Sequence, residues 1–117
     1  MEITVDHNDD VTILRLRGRF VAGEDGPQCR EKVRELIAAG RKKLLFDFSG
    51  VPHIDSTGLG FLAGCRAAAR QAGAGLVLVS LNQRVRRVLD EVKLSQFFVI
   101  ADNEASGIAR LRELAAS

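Results

Sequence analysis

The sequence predicts a small α/β domain: an N-terminal β-hairpin, then alternating helices and strands that form a mixed, largely parallel sheet with about four helices. Three observations predict it. Apolar and polar residues alternate through residues 2–6 and again through 11–20; beyond Pro27 the apolar spacing changes to that of helices; and short apolar stretches of strand length separate those helices. Strands joined by a tight turn pair antiparallel, whereas strands joined through a helix pair in parallel. A chain of 117 residues is long enough for one core and too short for two, so the expectation is a single domain over residues 1–117.

The elements follow in order. Ile3 and Val5 alternate with Glu2, Thr4 and Asp6, the rhythm of a half-buried strand, and His7-Asn8-Asp9-Asp10 breaks it into a turn. Val11 to Phe20 resumes the alternation, with Leu14, Leu16 and Phe20 on one face and Arg15, Arg17 and Arg19 on a solvated one. Pro27 suits the first turn of a helix that carries Cys29, Val33, Leu36 and Ile37 inward and stops at Gly40. Leu44 to Phe48 is short and almost wholly apolar, which marks an inner strand, and Ser49 to Asp55 reads as a loop. A second helix is expected from about Thr57 to Ala72, ended by Gly73, with Leu59, Leu62 and Ala69 inward. Leu76 to Val79 is a further buried strand. Asn82 can cap a helix with Val85, Val88, Leu89 and Val92 on its apolar face. Phe97 to Ile100 makes a last strand, and Asp102 or Asn103 opens a closing helix through Ile108, Leu111 and Leu114.

Composition narrows the function. Lys plus Arg number 17 against 15 for Asp plus Glu, a net charge of +2, without the excess of a dedicated nucleic-acid binder. All six aromatic residues are Phe, so Tyr and Trp platforms for base stacking are absent. The basic clusters Arg41-Lys42-Lys43 and Arg84, Arg86, Arg87 would suggest nucleic acid only if they converged on one surface. No apolar run approaches the ~20 residues that span a bilayer, and the N-terminus lacks a basic and apolar leader, so a cytoplasmic protein without membrane insertion is expected. Cys29 and Cys65 fit no metal-ligand spacing and read as small buried hydrophobes. No metal or cofactor is expected.

The densest signal is Asp47-Phe48-Ser49-Gly50-Val51-Pro52-His53-Ile54-Asp55-Ser56-Thr57-Gly58-Leu59-Gly60. A buried strand runs into a loop, then a carboxylate and two hydroxyls, then the glycines of a helix start. This spacing puts Ser56 and Thr57 at a helix N-terminus, where unpaired N–H groups and the positive dipole end favour an oxygen cap or an anion. The hydroxyls can serve simply as that cap; alternatively, a phosphate on Ser56, bringing roughly −1.5 to −2 charges, would change the surface without melting the helix. Asp47 reads as an anchor for the loop, since a buried unpaired carboxylate is costly.

Asp47 to Gly60 resembles the signature of STAS domains of the anti-sigma-factor-antagonist type, where a buried strand leads through a Val- or Ile-containing loop to Asp-Ser-Ser/Thr-Gly-Leu-Gly. The resemblance runs over essentially the whole chain, from the hairpin and Gly18 to the strand Leu76-Val77-Leu78-Val79. It implies a non-enzymatic partner switch. The unmodified antagonist binds an anti-sigma factor that is also a serine kinase and so frees the sigma factor; phosphorylation of the motif serine ends the binding, and a metal-dependent serine phosphatase restores it. By position the resemblance makes Ser56 the phosphorylated residue, ahead of Thr57, and puts Ile54, Asp55, Thr57, Gly58, Leu59 and Gly60 at the partner surface. Phosphorylated members often carry an acid shortly after the glycine that ends the second strand. Here Gly18-Arg19-Phe20-Val21 places a valine there, with Glu24 and Asp25 beyond it. The alternative is a constitutive STAS subunit, or anionic-ligand-binding module, of a transporter or stress-sensing scaffold.

Other readings fit less well. A phospho-acceptor receiver domain needs a helix after Asp9-Asp10, where Val11 to Phe20 alternates as a strand. Gly58-Leu59-Gly60 lies too far beyond Phe48 for a dinucleotide fingerprint, no GxxxxGK[ST] loop is present, and neither His7 nor His53 has a nucleophile and base around it in sequence.

Overall fold

In the computed structural model, which describes residues 1–19 and 25–116, five strands form one sheet in chain order. Strands β1 (Glu2–Asn8) and β2 (Val11–Arg17) are the antiparallel hairpin, turning through Asp9 and Asp10, with Asp9 in the left-handed region at φ 54°. Helix α1 (Asp25–Ala38) then crosses to β3 (Lys43–Gly50), which pairs parallel with β2. Helix α2 (Ser56–Gln71), β4 (Gly75–Val79), α3 (Gln83–Glu91), β5 (Val99–Ala101) and α4 (Glu104–Ala116) complete the chain, each later strand parallel to its predecessor. Four helices and a mixed sheet opened by a hairpin agree with the expected fold class. Phe20, Val21, Glu24 and the side chain of Asp25 lie outside the described residues.

Strand alternation sorts side chains onto two buried layers. Leu14, Leu16, Leu44, Phe46, Phe48, Leu76 and Leu78 face a core completed by Cys29 and Val33 of α1, Leu59, Leu62 and Cys65 of α2, and Val85 and Leu89 of α3. Val11, Ile13, Leu45, Val77 and Val79 face the other way, against Ile108 and Leu111 of α4. Each large apolar side chain fully buried here is worth about 1.5–3 kcal/mol. The sheet is therefore covered on both faces, and β2 is not the one-sided strand that its arginines suggest. Gly107 lets α4 lie against the sheet: a Cβ there would strike Val79 Cγ1 and come within 2.9 Å of Leu45 Cδ1.

Boundaries differ from expectation at β2, which ends at Arg17 short of Phe20, at β3 and at the last strand. Ser49 and Gly50 belong to β3, because Gly50 is in register with Arg17 and its carbonyl accepts from Gly18 N at 2.8 Å. The last strand starts at Val99, and Phe97 and Phe98 instead stack edge to face before it, their centroids 5.4 Å apart. The helix stops at Gly40 and Gly73 agree with the sequence reading, at φ 85° and 71°.

Candidate functional site

The site grows from the carboxyl end of β3. In parallel sheets the loops at these ends collect functional groups, because the following helix points its N-terminus outward there. Val51 and Ile54 are buried in the core and Val51 N donates to Phe48 O at 2.9 Å, so the loop between β3 and α2 is anchored from within. Asn82 anchors it from the side. Its Oδ1 caps α3 by accepting from Val85 N at 2.8 Å, while its Nδ2 donates to Val51 O at 3.2 Å and Pro52 O at 3.4 Å. One side chain thus ties the start of α3 to the loop before Ser56. The sequence identified the cap but carried no signal for the second role.

Helix α2 is capped by Asp55, whose Oδ1 accepts from Gly58 N at 2.7 Å, while its carbonyl accepts from Leu59 N at 2.9 Å. The capping role left open for the hydroxyls is thus taken by the Asp55 carboxylate and not by Ser56 or Thr57. Ser56 is the first residue inside the helix, exposed, and its hydroxyl makes no hydrogen bond among the described residues. Thr57 and Gly60 are also exposed, and Asp55 is half-buried. No acidic residue lies in the first turn of α2, so Asp55 is the carboxylate nearest in sequence to the positive helix end.

Three residues expected at the partner surface are buried. Ile54 is 1% exposed, Leu59 is 4% exposed and Gly58 is enclosed. The apolar side chains of Ile54 and Leu59 and the enclosed Gly58 backbone hold the loop and helix in place, leaving Asp55, Ser56, Thr57 and Gly60 to face outward.

Beside this loop an open cleft of about 640 Å³ runs between His53 and α3, lined by Asn82, Arg84, Arg87 and Glu91. His53 Nδ1 is the one buried side-chain nitrogen or oxygen without a hydrogen-bond partner among the described residues. The two basic clusters do not converge. Lys43 is in register with Gly75 at the starting ends of β3 and β4, whereas α3 follows the carboxyl end of β4.

Asp47 does anchor the loop, as the sequence suggests, accepting from Ser49 N at 2.9 Å through Oδ1. Its Oδ2 meets Arg15 Nη1 at 3.0 Å, and Arg15 also binds Asp6 at 2.7 Å and Glu104 at 2.8 Å. Asp6, then Glu104, then Asp47 raise the Arg15 pKa above its ordinary value. This junction of β1, β2, β3 and α4 was invisible in sequence, because its residues come from four separate segments. Among the described residues no group of three or more His, Cys, Asp or Glu side chains is arranged to hold a metal ion, and no helix is long and apolar enough to cross a membrane.

The family model for the STAS domain matches residues 2–107. The chain belongs to the STAS domain family. An anti-sigma-B factor antagonist of Listeria monocytogenes is 35% identical over 89 residues, covering 73% of this chain and 78% of that protein. A crystal structure of a Thermotoga maritima protein, provisionally described as an anti-sigma factor antagonist, superposes with a TM-score of 0.85 at 27% identity, covering 94% of each chain. The phosphorylated form of the Bacillus cell fate determinant SpoIIAA shares the fold, with a TM-score of 0.69 at 20% identity over 93% of this chain and 98% of that one. In this STAS domain the loop from β3 to α2 presents the Asp55-Ser56-Thr57-Gly58 stretch at the carboxyl edge of the sheet.

Proposed function

We propose that this chain, acting as one STAS domain, is an anti-sigma factor antagonist: a cytoplasmic, non-catalytic regulator that binds an anti-sigma factor and is switched by phosphorylation at Ser56. The observation that carries the reading is the division of labour at the start of α2. Asp55 takes the capping role, and the Ser56 hydroxyl stays exposed beside it without a hydrogen bond among the described residues. A kinase can therefore modify Ser56 without removing a cap. The added phosphate, roughly −1.5 to −2 charges, sits at the positive end of α2 and leaves the helix intact. It also puts a second strong negative charge beside Asp55, and a partner fitted to the unmodified surface meets both repulsion and bulk. The similarity to the Listeria antagonist supports the choice of partner.

The kinase is the anti-sigma factor itself, and a metal-dependent serine phosphatase reverses the modification. The contact surface comprises Asp55, Ser56, Thr57 and Gly60, with Ile54, Gly58 and Leu59 as its buried support. Incubating the protein with its cognate anti-sigma factor and ATP, then mapping phosphate by mass spectrometry, tests the reading. Phosphate on Ser56, absent in Ser56→Ala, is expected; phosphate elsewhere, or none with an active kinase, overturns it.

A further inference from the structure

Helix α3 opens with positive charge where a helix tolerates it least. Gln83-Arg84-Val85-Arg86-Arg87 puts three arginines in its first five residues, its first turn holds no acidic residue, and its cap is the uncharged Asn82. The N-terminal end of a helix is already partly positive, so cations there are unfavourable. Arg86 is relieved by Asp90, one turn on, at 3.6 Å. Arg84 and Arg87 are exposed and make no ion pair among the described residues. Both line the open cleft of about 640 Å³ between α3 and the loop before α2. Glu91, the last residue of α3, is the one acid among the described residues that line it.

The loop side of the cleft is His53, whose buried Nδ1 lacks a hydrogen-bond partner among the described residues. A buried polar atom left unpaired is costly, and folded proteins keep few of them. The two sides are already held together, because Asn82 Nδ2 donates to the carbonyls of Val51 and Pro52, immediately before His53. A ligand therefore meets a formed site and has little of it left to order.

We infer that this cleft is a second contact site for the anti-sigma factor and receives an acidic segment of it, a carboxylate side chain pairing with Arg84 and Arg87. The inference rests on the reading that this chain binds an anti-sigma factor. Charge decides the chemistry of the occupant: two unpaired guanidinium groups offer the forked donors that a carboxylate accepts, and they repel a basic segment. Glu91 confines the incoming acid to the part of the cleft nearer the start of α3. Continuity decides which partner carries it. His53 lies two residues before Asp55 and three before Ser56 on the same loop, so a protein that covers Asp55, Ser56, Thr57 and Gly60 has the cleft at its margin. Charges at the margin of an interface act chiefly on the rate of encounter and its salt dependence. The cleft thus guides the partner onto the surface that Ser56 controls.

The test titrates the full chain with its cognate anti-sigma factor, measuring affinity by calorimetry and association by stopped flow. The proteins compared are the parent, Arg84→Gln/Arg87→Gln, Arg84→Lys/Arg87→Lys, and Arg110→Gln as a control on α4, whose own arginine pairs with Glu113 and lies on a helix covering the opposite face of the sheet. At low salt the Gln double variant should bind about tenfold more weakly, mainly through slower association. The difference should fade at about 1 M salt, where the screening length is about 3 Å. The Lys double variant should recover most of the affinity and Arg110→Gln should match the parent. The Gln double variant should melt no lower than the parent, because it removes cations from a positive helix end, so weakened binding is not unfolding. If the double variant fails to fold, the two single Gln variants replace it. A parent that binds alongside an equally tight Gln double variant overturns this inference and leaves the functional reading standing. A loss that high salt does not diminish, or an equal loss in Arg110→Gln, overturns it as well. A parent that does not bind the anti-sigma factor at all overturns the functional reading, and this inference with it.

Discussion

Replacing Asp55 separates the mechanical and electrical parts of the start of α2. In Asp55→Ala the Gly58 amide loses the oxygen that accepts from it at 2.7 Å, and Gly58 is enclosed, so water replaces that bond poorly. Loss of an Asp cap costs about 1–2 kcal/mol. Asp55→Asn keeps an oxygen in the same position and removes only the charge at the positive helix end, worth about 0.3–1 kcal/mol at an exposed terminus. For a chain of this size each kcal/mol corresponds to about 4 °C in thermal midpoint. Asp55→Ala should therefore melt roughly 4–8 °C below the parent and Asp55→Asn roughly 1–4 °C below it. Urea unfolding followed by far-ultraviolet circular dichroism gives the free energies, provided the slopes agree among the three proteins. An Asn variant as unstable as the Ala variant would refute the capping role. An Ala variant indistinguishable from the parent would refute it too.

Two further outcomes test the packing and the hairpin. Gly107→Ala should destabilise the domain by about 1–3 kcal/mol, because the new methyl strikes Val79 and Leu45 and must push α4 off the sheet; unfolding at the parent's midpoint would contradict that approach of helix and sheet. Asp10 is held below its ordinary value of 3.8, chiefly by the hydrogen bond from Lys43. Its contribution is thus fully present above 3.8 and disappears as pH falls through the lower folded value, since the unfolded carboxylate takes up its proton first. Lys43→Met should raise the Asp10 titration midpoint in carboxyl-detected NMR, and an unchanged midpoint would reject the assigned cause.

The sequence reveals the architecture wherever local physics decides it. Alternation in Glu2 to Asp6, the glycines after α1 and α2, and Asn82 before Val85 each mark structure through neighbouring residues alone. Elements decided by distant contacts are harder to read. Arg15 seemed solvated because Asp6, Asp47 and Glu104 reach it only after three strands and α4 assemble. Val11 and Ile13 gain their burial from α4, near the other end of the chain. At the site, Asp55, Ser56 and Thr57 all carry oxygens able to cap a helix. The choice follows from Ile54, whose burial fixes where the chain enters α2 and brings Asp55 Oδ1 to Gly58 N. Proximity in the motif likewise marked Ile54 and Leu59 as contact residues, although their apolar side chains have the core as an alternative.

The central claim rests on what a phosphate at Ser56 does to binding. The direct measurement is the calorimetric affinity of the cognate anti-sigma factor for the unmodified protein and for protein phosphorylated uniformly at Ser56, with circular dichroism confirming equal helix content. The account predicts intact helices and an affinity at least about tenfold weaker after phosphorylation, a loss of ~1.4 kcal/mol or more. Equal affinity of the two forms would contradict it.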